Sequence, residues 1–127
     1  MPILGHGIDL VETARIAQLL EEHGQRFLDR CFTPGEQKYC AASVKRHVER
    51  LSGRFAAKEA VLKALSTGWR GGIAWTDIDI QSDPSGRPFV VLSGECQRVA
   101  DAKGIRSWQV SISHIETHAT ASAIAEG

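Results

Sequence analysis

The hydrophobic and polar positions of the first twelve residues alternate as they do in a β-strand. Residues 3–12 divide into two faces, which carry Leu4, Ile8 and Leu10 on one side and Ile3, Gly5, Gly7, Asp9 and Val11 on the other. The glycines lack side chains, so another backbone can approach the face that also bears Asp9. The pattern therefore predicts a strand with a carboxylate on a closely packed face.

Two helix starts follow this strand. Thr13 is a favourable N-cap for a helix that ends near Gly24. The sequence TPGE at 33–36 combines an N-cap threonine, a proline at the first helical position and a glutamate that completes a capping box. Two helices separated by a short connection are predicted here.

A longer helix is predicted from Ser43 to about Leu65, weakened at Gly53. Leucine, valine and phenylalanine cover one side of this helix, and alanines cover much of the rest. Glu59 and Lys63 lie one turn apart in the narrow strip between these two sides. This placement of opposite charges makes the strip a candidate site.

The second half of the chain changes to a mixture of short elements. IAWTDIDIQ at 73–81 and FVVL at 89–92 alternate like strands around the turn DPSGRP, which predicts a β-hairpin. A short helix is predicted within 94–104, and two strands at 107–113 and 119–125. The expected fold class is α+β, with helices packed on a mostly antiparallel sheet.

Composition agrees with one folded domain covering residues 1–127, without repeats or linkers. Fifteen basic residues balance fifteen acidic residues, so no overall field favours nucleic acid or a membrane surface, and an anion site must be local. The three cysteines form no CxxC pair, which indicates reduced thiols. With no long apolar stretch, the chain is expected to be a cytoplasmic protein that binds neither membranes nor nucleic acid.

Asp9 and Glu59 are candidate metal ligands. If the long helix packs over the strand face that bears Asp9, the two carboxylates meet, and a divalent cation relieves their repulsion. Carboxylates without histidine or cysteine suit Mg²⁺. The alternative is structural, with Asp9 capping a turn and Glu59 paired with Lys63 along the helix.

Basic residues offer sites for phosphate. Arg50, Arg54 and Lys58 are spaced four apart, so they form one helix ridge that either binds phosphates or is simply a solvated face. His114 and His118 flank a predicted turn, where contact with an anion is favoured over a zinc pair.

Three motifs together resemble the holo-acyl carrier protein synthase family, the short bacterial 4′-phosphopantetheinyl transferases. They are GIDLVE at 7–12, GRFAAKEAVLKAL at 53–65 and SISH at 111–114, in the family's order and separation. The resemblance runs nearly end to end. It implies the family's α+β fold, a homotrimer, and Mg²⁺-dependent transfer of phosphopantetheine from coenzyme A to a serine of apo-acyl carrier protein.

The resemblance also implies roles for individual residues. Asp9 and Glu59 are the implied Mg²⁺ ligands, and both are implied to be catalytic together with Lys63, which lies against the diphosphate of coenzyme A. Further coenzyme A contacts, from more than one subunit, are implied for Arg54, Lys58, Gly86, Arg87, Pro88 and His114. Docking of the acidic carrier protein is implied for Arg15, Leu19, Arg26 and Arg30.

Two other functions fit the same residues. A small Mg²⁺-dependent hydrolase of nucleotide diphosphates would use water in place of serine, and it would cleave coenzyme A without a carrier protein. A nonenzymatic trimeric binding module, in which Asp9 and Glu59 pair with basic residues, predicts no Mg²⁺-dependent binding of coenzyme A.

Overall fold

The computed structural model describes residues 2–68 and 72–127. In these residues, helices pack on antiparallel sheets, which confirms the α+β fold class. The helices are α1 (Thr13–His23), α2 (Gln25–Cys31), α3 (Pro34–Ala41), α4 (His47–Leu65) and α5 (Gly94–Ala102). The strands are β1 (Ile3–Glu12), β2 (Ile78–Ser82), β3 (Pro88–Leu92), β4 (Ser107–His114) and β5 (His118–Glu126).

The strands form two antiparallel sheets. One has the order β1-β5-β4, and the other is the β2-β3 hairpin that the turn residues predicted. The central strand β5 places small side chains under α4, because every second residue is a fully buried alanine: Ala119, Ala121, Ala123 and Ala125. These alanines allow the long helix to lie close to the sheet, and α4 is buried on most of its surface.

The glycine face of β1 brings the strand backbone against the backbone of α4. A Cβ atom at Gly7 would lie 1.9 Å from the carbonyl oxygen of Ala60, and one at Gly5 would lie 2.1 Å from that of Ala64. The residue numbers along α4 rise as those along β1 fall, so the two elements run in opposite directions. The predicted close approach is confirmed, and it places Asp9 beneath the middle of α4.

We expect Gly7→Ala to lower the free energy of unfolding by at least about 3 kcal/mol, because the added methyl group meets helix backbone that cannot rotate away. Gly35→Ala is the matched control, since the nearest atom to its Cβ, the Thr33 hydroxyl oxygen, is 4.0 Å away. Urea unfolding measures both variants. Equal stability of the two would contradict the close packing of β1 on α4.

The boundaries of α4 differ from the prediction. The helix begins at His47 rather than Ser43, because the Ser43 hydroxyl accepts the backbone N–H of Arg46 at 3.2 Å and closes a turn instead. Nor is the helix interrupted at Gly53. A Cβ there would lie 3.1 Å from a methyl carbon of Ile112, so this glycine allows β4 to approach the helix closely.

Two other local predictions are wrong for tertiary reasons. Thr13 is the first residue of α1 rather than its N-cap, and its hydroxyl donates to the carbonyl of Glu116 at 2.7 Å. The strand predicted from Ile73 begins only at Ile78, because Trp75–Asp77 form a turn of 3₁₀ helix. By contrast, the Thr33 capping box of α3 is confirmed. Among the described residues, no helix combines the length and apolarity needed to cross a membrane.

Candidate active site

Asp9 lies in the middle of β1, with 16% of its side chain exposed. The ammonium group of Lys63 on α4 donates to Asp9 Oδ1 at 3.0 Å and to the carbonyl of Ile8 at 2.9 Å. The Asp9 carbonyl accepts the Thr120 hydroxyl at 2.8 Å, so β5 also holds this residue. Asp9 therefore does not cap a turn, so that part of the structural alternative is wrong.

Glu59 lies on α4 one turn before Lys63, on the helix that packs over the glycine face of β1. Ala60 lies over Gly7, and the next inward residue of the strand is Asp9, which already contacts Lys63 one turn beyond Glu59. Two carboxylates without histidine or cysteine form a donor set that fits Mg²⁺. Within residues 2–68 and 72–127, no group of three or more acidic, histidine or cysteine side chains could hold a metal. A Mg²⁺ ion here would therefore rely on water or substrate oxygens for its other ligands.

A narrow cavity of about 120 Å³ lies between α4, the β2-β3 loop and the end of β4. Its lining includes four residues that the sequence assigned to ligand contact: Arg54, Gly86, Pro88 and His114. Tyr39, which the sequence analysis missed, also lines it. One chain therefore brings together residues from the GRFAAKEAVLKAL and SISH motifs and from the DPSGRP turn.

Arg54 is 6% exposed and extends into the narrow cavity from α4. Its guanidinium stacks over Tyr39 at 4.1 Å from the ring centre, and Nη2 donates to the Ser82 hydroxyl at 2.8 Å. Its Nε is buried and has no hydrogen-bond partner among the described residues. A buried cation with an unused donor is an arrangement that suits a bound anion.

The β2-β3 loop is organised by Asp83. Its Oδ1 accepts the Ser85 hydroxyl at 2.6 Å and the backbone N–H groups of Ser85 at 2.8 Å and Arg87 at 3.0 Å. The hydrogen bond from the Ser85 hydroxyl, followed by that from the Arg87 backbone, lowers the pKa of this carboxyl. Gly86 has a φ of 88°, which favours glycine. The Arg87 side chain donates to Gln109 at 2.9 Å, so it lies across β4.

His114 and His118 lie on opposite faces of the sheet, because His114 pairs directly with Ala119 and His118 precedes that alanine on β5. A zinc site that uses both rings is excluded by this geometry. His114 Nδ1 instead lies 2.5 Å from Glu49 Oε1, a contact that no local sequence pattern predicted. His114 also borders a wide cavity of about 410 Å³, together with Lys45, Arg46, Glu49 and Glu116.

Lys58 does not belong to a ligand-binding ridge, and that prediction is wrong. Its side chain is fully buried, and Nζ lies 2.5 Å from Glu36 Oε1. The same ammonium donates to the carbonyls of Cys31 at 2.8 Å and Trp75 at 3.1 Å. All three of its hydrogens are used within the protein, so none remains for a phosphate.

A third cavity, the α1–α2 cavity, has a volume of about 340 Å³. Its apolar floor includes Phe55 and Trp75, whose rings stack with centroids 4.8 Å apart. Leu19, Arg26 and Arg30 from the predicted docking set line it, and the Arg15 guanidinium lies 5.6 Å from the Phe55 ring centre. Basic residues thus surround an apolar depression. Its floor residue Phe55 lies on α4, one helical turn before Glu59.

Comparisons with known proteins show the family of this chain. The family model of the 4′-phosphopantetheinyl transferase superfamily matches residues 5–123. The holo-[acyl-carrier-protein] synthase of Koribacter versatilis is 48% identical over 124 residues, covering 98% of each chain. The crystal structure of the holo-[acyl-carrier-protein] synthase from Neisseria meningitidis has a TM-score of 0.90 and 35% identity, and covers 99% of this chain and 100% of that one. The Helicobacter pylori synthase, solved in complex with coenzyme A, has a TM-score of 0.83 and 33% identity, over 95% of this chain and 99% of that one.

Proposed function

The chain belongs to the 4′-phosphopantetheinyl transferase superfamily, and we propose from this premise that it is a holo-acyl carrier protein synthase. Its reaction transfers the phosphopantetheine arm of coenzyme A to a serine hydroxyl of apo-acyl carrier protein. The observation that carries the proposal is the contact of Lys63 with Asp9, which joins the GIDLVE strand to the KEAVLK helix beside Glu59. The names of the relatives support the same reaction.

Asp9 and Glu59 would hold a Mg²⁺ ion at the coenzyme A diphosphate. When bound, the ion supplies positive charge that stabilises the charge developing on the phosphates. Lys63 adds a second positive charge there from a side chain that is 53% exposed, while its bond to Asp9 keeps that carboxylate oriented.

The serine oxygen forms a bond to the phosphorus that carries the pantetheine arm. The bridging phosphorus–oxygen bond breaks, and its electron pair leaves with adenosine 3′,5′-bisphosphate. The serine proton passes either to Glu59 or to a water molecule beside it. In both cases the base lies at the strip of α4 that carries Glu59 and Lys63.

The nucleotide part of coenzyme A binds at the narrow cavity and the loop beside it in this proposal. Arg54 offers a buried positive charge with an unused Nε–H, which suits a phosphate oxygen. Gly86 and Pro88 provide a surface without long side chains, His114 lines the same cavity, and Arg87 in the same loop supplies a further positive charge.

The acyl carrier protein docks on the α1–α2 cavity in this proposal. An acidic partner is attracted by the exposed Arg15, Arg26 and Arg30, and an apolar side chain of the partner is received beside Leu19 and Phe55. Since the chain as a whole is neutral, this local patch accounts for the attraction.

We expect Arg26→Glu to raise the KM for acyl carrier protein about fivefold at low salt, equivalent to ~1 kcal/mol, and to reduce its salt dependence. The KM for coenzyme A should remain unchanged. Lys103→Glu, an exposed charge reversal beyond the end of α5, is the control. Steady-state kinetics at two salt concentrations measure the effect, and an Arg26 variant that behaves like the control would place the docking surface elsewhere.

We also propose a homotrimer in the cytoplasm. The outer face of β1 exposes Leu4 by 46%, Ile8 by 62% and Leu10 by 68%, an apolar strip that a second copy would cover. The cysteines Cys31, Cys40 and Cys96 are buried free thiols, as in proteins of reducing compartments.

Mass spectrometry of a purified apo-acyl carrier protein tests the proposed reaction. Incubation with the chain, Mg²⁺ and coenzyme A should add one phosphopantetheine to the carrier and release an equal amount of bisphosphate. A Ser→Ala carrier variant is the control. If bisphosphate appears at the same rate without the carrier, the activity is hydrolysis; if coenzyme A does not bind in the presence of Mg²⁺, the chain is a binding module of another kind.

A further inference from the structure

The contact between His114 and Glu49 joins the end of β4 to the first turn of α4. His114 Nδ1 and Glu49 Oε1 are 2.5 Å apart, and the two side chains are 30% and 21% exposed. Glu49 lies in the first turn of the helix, where the exposed N–H groups favour a negative charge. The carboxylate is therefore the acceptor, and His114 Nδ1 carries the hydrogen that it accepts.

The His114 ring also lies beside the backbone of α4. The Cβ position of Gly53, one turn beyond Glu49, is 3.9 Å from His114 Cδ2, an ordinary van der Waals distance. The ring therefore contacts α4 at two successive turns, through Glu49 and beside Gly53. With Nδ1 committed to Glu49, Nε2 is the nitrogen that remains for a ligand.

The charges around His114 are predominantly positive. In the wide cavity, Lys45 and Arg46 accompany the two carboxylates Glu49 and Glu116. Arg50 and Arg54 line the narrow cavity together with His114. Since His114 borders both cavities, an anion in either one lies close to the ring and to two of these four cations.

We infer that Glu49 is a positioning residue for coenzyme A, which acts through His114 by fixing Nδ1–H inward and Nε2 toward the bound nucleotide. This inference rests on the proposed function. A ring with a hydrogen on both nitrogens donates Nδ1–H to Glu49 on one side and Nε2–H to a ligand phosphate on the other. Glu49 therefore strengthens anion binding although its own charge opposes the anion.

The sign of the effect separates positioning from simple repulsion. We expect Glu49→Gln to weaken coenzyme A binding about fivefold to tenfold, the size of one charge-assisted hydrogen bond. In a His114→Ala background the same change should leave binding equal or tighter, because only the repulsion by Glu49 remains to be removed. Glu116→Gln is the matched control: it removes a carboxylate of the same cavity for which no contact with His114 is found among the described residues, and should not weaken binding.

Calorimetry with coenzyme A and Mg²⁺ measures these four variants and the wild type without requiring turnover. Nitrogen-15 spectra of the ring provide a second readout, since His114 should be Nδ1-protonated in the wild type and lose this preference in Glu49→Gln. Circular dichroism monitors folding. Tighter binding by Glu49→Gln in the wild-type background, or equal weakening with and without His114, overturns the inference and leaves the proposed function intact. If the wild type does not bind coenzyme A, both fail.

Discussion

Asp9→Asn and Glu59→Gln should each lower the rate of phosphopantetheine transfer by at least about a hundredfold while the protein remains folded. Each substitution keeps the shape of the side chain and removes one of the two negative charges that would hold Mg²⁺ against the diphosphate. Folding should survive, because Asp9 is partly exposed and its backbone carbonyl remains bound to Thr120.

The measurement is single-turnover transfer to apo-acyl carrier protein over a range of Mg²⁺ concentrations. Both variants should need far more Mg²⁺ than the wild type, and a direct Mg²⁺ titration of each protein with bound coenzyme A gives a readout independent of turnover. Asp101→Asn, on the exposed surface of α5, serves as the control and should behave as wild type. Normal rates at low Mg²⁺ in either site variant would show that the two carboxylates are not the metal ligands.

Lys58→Met should lower the free energy of unfolding by about 3–5 kcal/mol, the usual cost of removing one partner from a buried ion pair. The change leaves the Glu36 carboxylate buried without its counter-charge, and the carbonyls of Cys31 and Trp75 without their donor. Burial already raises the pKa of Glu36 and lowers the pKa of Lys58, while the attraction between them acts in the opposite direction for both groups.

Urea unfolding followed by tryptophan fluorescence measures this loss. The double variant Lys58→Met, Glu36→Gln should recover part of the stability, because no buried charge remains unpaired. Lys38→Met, on the exposed side of α3, is the control and should change stability by less than about 0.5 kcal/mol. A Lys58 variant as stable as the control would contradict the burial of the pair.

The pair of Lys58 and Glu36 also connects the fold to the proposed docking surface. Cys31 and Trp75, whose carbonyls accept from Lys58, both line the α1–α2 cavity. Glu36 in turn accepts the backbone N–H of Ile80 at 2.8 Å, so β2 is held by the same carboxylate. One buried lysine therefore ties three segments to α4 immediately before Glu59, which explains why a cation occupies a position that packing alone would fill with leucine.

The parts of the site that depend on short-range patterns could be predicted from the sequence. The alternation of β1 placed Asp9 on the glycine face, and helical spacing placed Glu59 and Lys63 on one strip of α4, so the contact of Lys63 with Asp9 required only that the helix cover that face. The salt bridge from Lys63 to Asp9 agrees with this expectation. The roles of these residues in catalysis remain a prediction for the proposed experiments to test.

Helical spacing could not distinguish Lys58 from Arg54. Both residues fall on the same ridge, yet Lys58 meets Glu36 in the interior while Arg54 reaches the narrow cavity. The helical period predicts which side chains point in the same direction, but it does not predict which residues pack against them. Lys58 and Arg54 differ in their surroundings because α3 and Trp75–Asp77 cover the end of the ridge at which Lys58 lies.

Local sequence patterns suffice to predict the order and type of most elements, the capping box of Thr33 and the glycine face of β1, because those signals arise between residues a few positions apart. The contacts of Glu49 with His114 and of Thr13 with Glu116, and the burial of Lys58, are set by the packing of the folded chain. These contacts join residues far apart in the chain, 65 positions in the case of Glu49 and His114. These contacts form when the helices and sheet pack, because buried polar groups then require hydrogen-bond partners. No local sequence pattern predicts which partners they will have.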